Sequence, residues 1–210
     1  MTKDKPDLSD AYALNTPEDS RRLYADWAGT YDQSFAHDED YRLHIDTARA
    51  FVAAGGKGPV LDVGAGTGLC GAILGSLGVG PIDATDISAE MLEVAARKDI
   101  YRDTILADLY QGVPVSYGSY AGIVSSGTFT TGHVGPEVFD ELLRIARPRA
   151  VFALSVNAKH FTKAGFAAAF DTLQESAIRD LTLTETRIYG ELSRGAHKND
   201  TALIACFRKA

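Results

Sequence analysis

Three carboxylates stand at the ends of three successive apolar runs: Asp62 within Val60-Leu61-Asp62-Val63, Asp86 after Ile82-Asp83-Ala84-Thr85, and Asp108 in Ala107-Asp108-Leu109. Directly after the first run comes Gly64-Ala65-Gly66-Thr67-Gly68. Glycines at such a turn leave the backbone open to a ligand where a strand passes into a helix. A fixed carboxylate beside that turn opposes a diphosphate but suits an ammonium group or ordered loop amides, so Asp62 speaks for a cationic ligand or for a tied-down loop. Asp86, roughly 20 residues further on, is placed to accept both hydroxyls of a ribose. Asp108 is suited to accept from an exocyclic amine, with the Leu109 backbone N–H available to a ring nitrogen. The glycines also satisfy a dinucleotide fingerprint in another frame, Gly66-x-Gly68-x-x-Gly71, which would make the chain an NAD(P)-dependent oxidoreductase.

Such residues meet only if a parallel sheet brings their strand ends to one edge. From Pro59 onward short apolar strands alternate with helical stretches, the pattern of a parallel sheet covered on both faces. The pattern predicts strands over 60–63, 81–85, up to about 107, 121–125 and 151–156. Helices are predicted near 69–77, 88–98, 137–147 and 165–175. The last two apolar runs, Leu181 to Tyr189 and Ala202 to Phe207, are joined by a hairpin-like stretch and predict an antiparallel closure. Ahead of the sheet, residues up to about 15 read as polar and frayed. Thr16-Pro17-Glu18-Asp19 then carries the signals of a helix start. Leu23, Tyr24, Trp27, Ala28 and Tyr31 follow at helical spacing, either as a core stripe or as the cover of a ligand. A second helix, from about 40 to 54, is expected to present Ile45, Ala48 and Val52 on one face and to stop at Gly55-Gly56. The predicted organisation is a helical lid over 1–56 and an α/β domain over 57–210.

The chain has 210 residues, 45% of them hydrophobic and 23% charged, the balance of an ordinary globular domain with a small attachment. A net charge of −7 repels nucleic acid and anionic membranes, so neither is an expected partner. Cys70 and Cys206 form no paired motif, which excludes a disulfide framework and a zinc site, and no metal is expected. The amino-terminal residues lack the apolar stretch of a signal peptide, and no run approaches the roughly 20 apolar residues of a membrane span. A cytoplasmic monomer or homodimer is the expectation.

Taken together, the motifs resemble those of the class I S-adenosylmethionine-dependent methyltransferases. Leu61 to Gly68 is similar to the family's first motif, Thr85-Asp86-Ile87-Ser88 with Met91-Leu92 to its second, and Ala107-Asp108-Leu109 to its third. Tyr120 to Gly127 is similar to the fourth, and Leu142 to Pro148 to the helix before strand five. Tyr24 to Asp32 and Ser126 to Val134 narrow the resemblance to the branch of the Williams-Beuren-region methyltransferase and its bacterial relatives. The resemblance implies a Rossmann-like seven-stranded sheet, mostly parallel with an antiparallel closing strand, with helices on both faces. It also implies S-adenosylmethionine as cofactor, with Gly64, Ala65 and Gly66 against its methionine part, Asp86 on the ribose, Asp108 and Leu109 on the adenine, and Ile87 packed on the adenine face. Asp62 would steady the site, Ser125 and Ser126 would line the route to the acceptor, and Tyr31 with Trp27 would close the pocket. Two positions depart from the family pattern: Ala121-Gly122, where an acidic residue is usual, and Pro148-Arg149-Ala150, where Pro-Gly-Gly is usual.

Methyl transfer from a sulfonium is an in-line displacement for which a protein supplies alignment and desolvation, and a base only when the nucleophile still carries its proton. His133, on the loop after strand four, is the candidate base. Ser125 to Thr128 lacks the proline-containing tetrad of adenine and amide N-methyltransferases, which argues against a base nitrogen or a glutamine amide as acceptor. With few residues left to recognise a large partner, a small-molecule acceptor is expected. The alternative within the same fold is a protein that keeps the cofactor pocket without catalysis.

Overall fold

The computed structural model describes residues 16–210 together with 6, 10, 11 and 14. Most of the stretch read as frayed therefore lies outside the described residues. Seven strands form one sheet in the order β3-β2-β1-β4-β5-β7-β6: β1 Val60–Val63, β2 Ile82–Asp86, β3 Asp103–Leu106, β4 Tyr120–Phe129, β5 Ala146–Asn157, β6 Ile178–Arg187 and β7 Thr201–Lys209. The first five strands pair in parallel, and β7 inserts antiparallel between β5 and β6. This is the Rossmann-like architecture the motifs imply.

Alternation along the strands builds two cores. Leu61, Ile123 and Phe152 point to one face, where they meet Phe139 and Leu142 of α5 (Phe139–Ile145) and Phe166 and Phe170 of α7 (Phe166–Ser176), after α6 (Ala158–Lys163). Val60, Val124, Val151 and Ala153 point to the other, against Ala48 and Phe51 of α2 (Leu43–Ala53) and Cys70 and Leu74 of α3 (Leu69–Ser76). A period of two in the strands is what allows both faces to be apolar. The remaining helix of the sheet domain, α4 (Ala89–Ala96), is capped by Ser88, whose hydroxyl accepts from the Met91 N–H at 3.2 Å.

Helix α1 (Pro17–Trp27) begins where the sequence signals it, with the Thr16 hydroxyl accepting from the Asp19 N–H at 3.1 Å. It does not continue through Tyr31. The chain turns at residues 28–30 and forms a π-helical turn, Asp32–His37, whose Ser34 hydroxyl accepts from the Trp27 indole at 3.0 Å. Helix α2 starts later than expected and buries Leu43, His44, Thr47, Ala48 and Phe51, while Val52 is exposed. The face that packs is one helical position away from the Ile45 and Val52 stripe, because the large Phe51 ring, not Val52, fills the space above Gly122.

Strand β4 runs four residues beyond the predicted end. A register shift between Ser125 and Phe129, with Gly127 at φ +86°, marks a bulge, after which pairing resumes at Phe129 and Val156. Bulges re-aim side chains beside functional sites. At the start of β5, Arg149 occupies the left-handed region at φ +66°, where the usual family glycine would carry no penalty.

Candidate functional site

A cleft of about 890 Å³, its open mouth included, lies at the carboxyl ends of β1, β2 and β4. The strand order reverses there between β1 and β4, which is where open α/β sheets leave a crevice.

The floor is the glycine turn. Gly64 and Gly66 have φ of +64° and +55°, values that L side chains adopt at a cost. A Cβ on Gly64 would also collide with the Thr128 hydroxyl, whereas one on Gly66 would meet nothing within 4 Å and would stand in the space of the cleft. Asp86 fixes this turn: one carboxylate oxygen accepts from the Gly66 N–H at 2.8 Å and the other from the Ser88 N–H at 3.0 Å. Burial raises the Asp86 carboxyl above its ordinary pKa, and these backbone N–H groups oppose the rise. Asp108 follows β3, accepts from the Tyr110 N–H at 3.0 Å and faces the Arg21 guanidinium at 3.4 Å. Ile87, Met91 and Leu109 supply apolar wall between the two carboxylates.

The segment that carries α1 and the π-helical turn forms the other side. Tyr24 and Tyr31 line the cleft, and Asp32, at the start of the π-helical turn, accepts from the Thr67 hydroxyl of the glycine turn and pairs with Lys98 at 2.7 Å. His133 enters from the loop after β4. Its Nδ1 lies 3.2 Å from the Thr131 carbonyl and its Nε2 lies 2.9 Å from the Tyr24 hydroxyl. The carbonyl can only accept, so Nδ1 carries the hydrogen and Nε2 is the basic nitrogen, accepting from Tyr24. Burial holds the imidazole pKa below its ordinary value and keeps the ring neutral.

Among the residues singled out in the sequence, Tyr31, Gly64, Gly66, Asp86, Ile87, Asp108, Leu109 and His133 line the cleft. The other four stand behind it. Ala65 packs against Ala84 and Leu92. The Ser125 hydroxyl is fully buried and donates to the Val63 carbonyl at 2.7 Å, leaving Ser126 to reach the cleft. Trp27 lines a second, adjoining chamber. Asp62 lies beneath the glycine turn, where one oxygen accepts from the Tyr101 hydroxyl at 2.7 Å and the other is buried without a partner. Burial pushes this carboxyl up to about 7.

Sequence reasoning missed Tyr24 as a partner of His133, since the spacing of the aromatic stripe says nothing about a residue a hundred positions away. It also missed the clasp of Asp32, Thr67 and Lys98. Among the described residues no cluster of His, Cys, Asp and Glu could hold a metal ion, and no helix is long and apolar enough to cross a membrane.

The donor set fits S-adenosylmethionine. Two carboxylates at adjacent strand ends could meet a ribose and an amino-substituted ring, the Gly66 position is open to the cleft, and the apolar lining suits a planar base.

Residues 60–149 match the family of methyltransferase domains. A curated mouse (Mus musculus) protein, 18S rRNA (guanine-N(7))-methyltransferase, is 41% identical over 69 residues, which span 31% of this chain and 23% of that protein. The chain thus aligns with less than a quarter of that relative's length. Among solved structures, a Thermotoga maritima S-adenosylmethionine-dependent methyltransferase described as a possible histamine N-methyltransferase superposes with a TM-score of 0.63 at 11% identity, covering 90% of this chain and 98% of that one. A putative S-adenosylmethionine-dependent methyltransferase from Methanococcus maripaludis gives a TM-score of 0.59 at 16% identity, covering 97% and 96%. At these identities the two structures establish a shared fold. The matched domain and the fold agree: residues 60–149 match a methyltransferase domain, and they lie in a chain that shares the fold of S-adenosylmethionine-dependent methyltransferases.

Proposed function

We propose that the protein transfers the methyl group of S-adenosylmethionine to a small-molecule acceptor held between the lid and the bulge of β4. The observation that carries this reading is the pairing of a carboxylate-edged, glycine-floored cleft with a neutral, hydrogen-bonded His133 at its inner end. When bound, S-adenosylmethionine supplies a methyl group on a sulfonium, which an acceptor lone pair can take while sulfur keeps the electrons of the broken bond. Asp86 and Asp108 would hold the two ends of the nucleoside, and the Asp32 clasp would keep the lid over the glycine turn. Tyr24 and His133 would take the proton of a hydroxyl nucleophile, Tyr24 receiving it as its own hydrogen passes to Nε2. Burial helps by excluding water from a site whose contribution is alignment.

The net charge of −7 and the acidic edge of the cleft support a small acceptor over a nucleic acid, although the mouse relative is named for rRNA. Cys70 and Cys206 stand as free thiols, which supports a reducing cytoplasm as the place of action. The test is incubation with methyl-labelled S-adenosylmethionine and either a deproteinised small-molecule fraction or total RNA, using wild type and Asp86→Ala. Label in the small-molecule fraction that Asp86→Ala abolishes is the expected result. Label in RNA alone would overturn the small-acceptor reading. Cofactor binding with no label in either would point to a protein that binds without catalysis.

A further inference from the structure

Beside the cofactor cleft lies a second chamber of about 560 Å³, its open mouth included, walled by Trp27, Tyr31, Phe35, Tyr41 and Tyr189 and reaching Asn157. The two cavities adjoin, since Tyr24, Tyr31, Gly127 and His133 line both. Their chemistry differs. The cleft has two carboxylates, whereas no Asp, Glu, Lys or Arg is among the described lining residues of the chamber. Its rings meet largely at steep angles: Trp27 and Tyr31 at 75° with centroids 5.1 Å apart, Phe35 and Tyr189 at 86° and 6.2 Å. Such a cage offers both faces and edges to another ring.

Asn157 makes the chamber specific. Its Oδ1 accepts from the N–H groups of Lys159 at 3.0 Å and His160 at 3.2 Å, capping α6. Those two bonds decide which way the amide faces, because only the oxygen accepts. The Nδ2 group is left buried without a partner, on a residue 5% exposed. A buried donor without an acceptor is destabilising, so one on a residue that lines a cavity is most simply matched by an acceptor atom on a ligand, which a small shift of the side chain would admit.

We propose that this chamber is the acceptor subsite and takes a small, uncharged hydroxyaromatic molecule, its ring held by Trp27, Tyr31 and Phe35, an oxygen or ring nitrogen accepting from Asn157, and its hydroxyl at the Tyr24–His133 pair. The inference rests on the proposed methyltransferase function. An anionic acceptor would meet no Lys or Arg among the described lining residues of the chamber and would lose its hydration uncompensated. A protonated amine has no lone pair with which to attack. In the transfer the acceptor oxygen forms the new bond to the methyl carbon, the carbon–sulfur bond breaks with its electrons on sulfur, and the hydroxyl proton goes to the Tyr24–His133 pair. The products are an aryl methyl ether and S-adenosylhomocysteine.

Trp27 is the single tryptophan of the sequence, so its fluorescence reports on this chamber without requiring turnover. Binding of S-adenosylhomocysteine is measured first by calorimetry, and its absence would contradict the methyltransferase function itself. With that ligand saturating, 4-hydroxyacetophenone and 4-hydroxybenzoate are titrated into wild type and two variants. Asn157→Asp keeps an oxygen for the helix cap and replaces the donor by an acceptor. Asn157→Ser keeps capping ability and removes the amide. The expected result is saturable change of the Trp27 signal with 4-hydroxyacetophenone, at least tenfold weaker binding of the anionic probe, and at least tenfold loss of 4-hydroxyacetophenone affinity in both variants at unchanged S-adenosylhomocysteine affinity. No Trp27 response to 4-hydroxyacetophenone in a protein that binds S-adenosylhomocysteine, equal binding of the two probes, or wild-type affinity in the variants would each overturn the proposal.

Discussion

The cofactor cleft and the aromatic chamber share a wall yet are held together differently. In the cleft, polar side chains at strand ends are fixed by backbone N–H groups within a few residues or on the next strand, as Asp86 is by Ser88 and Gly66. In the chamber, rings from the amino-terminal segment and from the segment after β6 fix one another, and Phe35 alone packs against Trp27, Tyr31, Tyr41 and Tyr189. The first arrangement is a property of the sheet and tolerates little variation. The second depends on tertiary packing, so it is the part of such a protein in which acceptor specificity can change without disturbing the cofactor site.

The sharpest way to break this division is Phe35→Ala. Deleting a buried ring of this kind costs about 3–5 kcal/mol, read as a large fall in the thermal midpoint, while affinity for S-adenosylhomocysteine in the folded fraction should change only a few-fold. An equal loss of both would show that the two regions are one unit.

Tyr24→Phe separates them more finely. Phenylalanine keeps the ring but frees His133 Nε2, so kcat should fall about 100-fold, the lower end of what a positioned acid–base group contributes, with cofactor affinity unchanged. Because burial holds the His133 pKa below its ordinary value, wild-type activity should be level above the ordinary histidine range and fall only below it. A wild-type profile that fell already at neutral pH would contradict a neutral His133.

Two buried groups, Asp62 beneath the cleft and His44 on α2, contribute to the pH dependence of stability in opposite senses. Asp62 holds its proton up to about 7 when folded and releases it near 3.8 when unfolded, so its contribution declines as pH rises through that window. Burial lowers His44 from 6.5 to about 4, so the unfolded chain takes up a proton first and stability declines as pH falls through that window. The two slopes nearly cancel in the wild type. Asp62→Asn should remove one of them, giving stability that rises with pH between about 4 and 6.5 and exceeds that of wild type above neutral pH, on the order of 1 kcal/mol or more. Denaturant titrations across this range would read it, and a flat difference between variant and wild type would be the contrary outcome.

The smallest expected effect is that of Asp32→Asn. The Asp32 and Lys98 side chains are 41% and 25% exposed, so loss of the pair costs under about 1 kcal/mol of stability. Cofactor affinity should nevertheless fall several-fold, since the same carboxylate ties the lid to Thr67. Unchanged affinity would leave the clasp without a role at the cleft.

Local signals explain what was legible in the sequence. The positions of Gly64, Gly66, Asp86 and Asp108 followed from strand period and glycine placement, because a parallel sheet carries its strand ends to one edge regardless of detail. Strand β4 was cut short at Ser125 because a bulge has no period of its own, and Gly127 reads like a terminator when it is a bend within the strand. The aromatic spacing stays helical through Tyr31, across residues 28–30 that in fact turn. The Asn157 amide is invisible in the sequence for a different reason: it caps a helix directly after an apolar strand, and only the tertiary packing of distant rings brings the residue to the wall of a chamber.

The most direct test of the central claim is calorimetric titration of wild type and Asp86→Ala with S-adenosylmethionine, S-adenosylhomocysteine and NADH. The account predicts binding of the first two, loss of at least about 100-fold in the variant from charge-assisted hydrogen bonds worth about 1.5–3 kcal/mol each, and no binding of NADH. Binding of NADH alone, or S-adenosylmethionine affinity indifferent to Asp86, would contradict it.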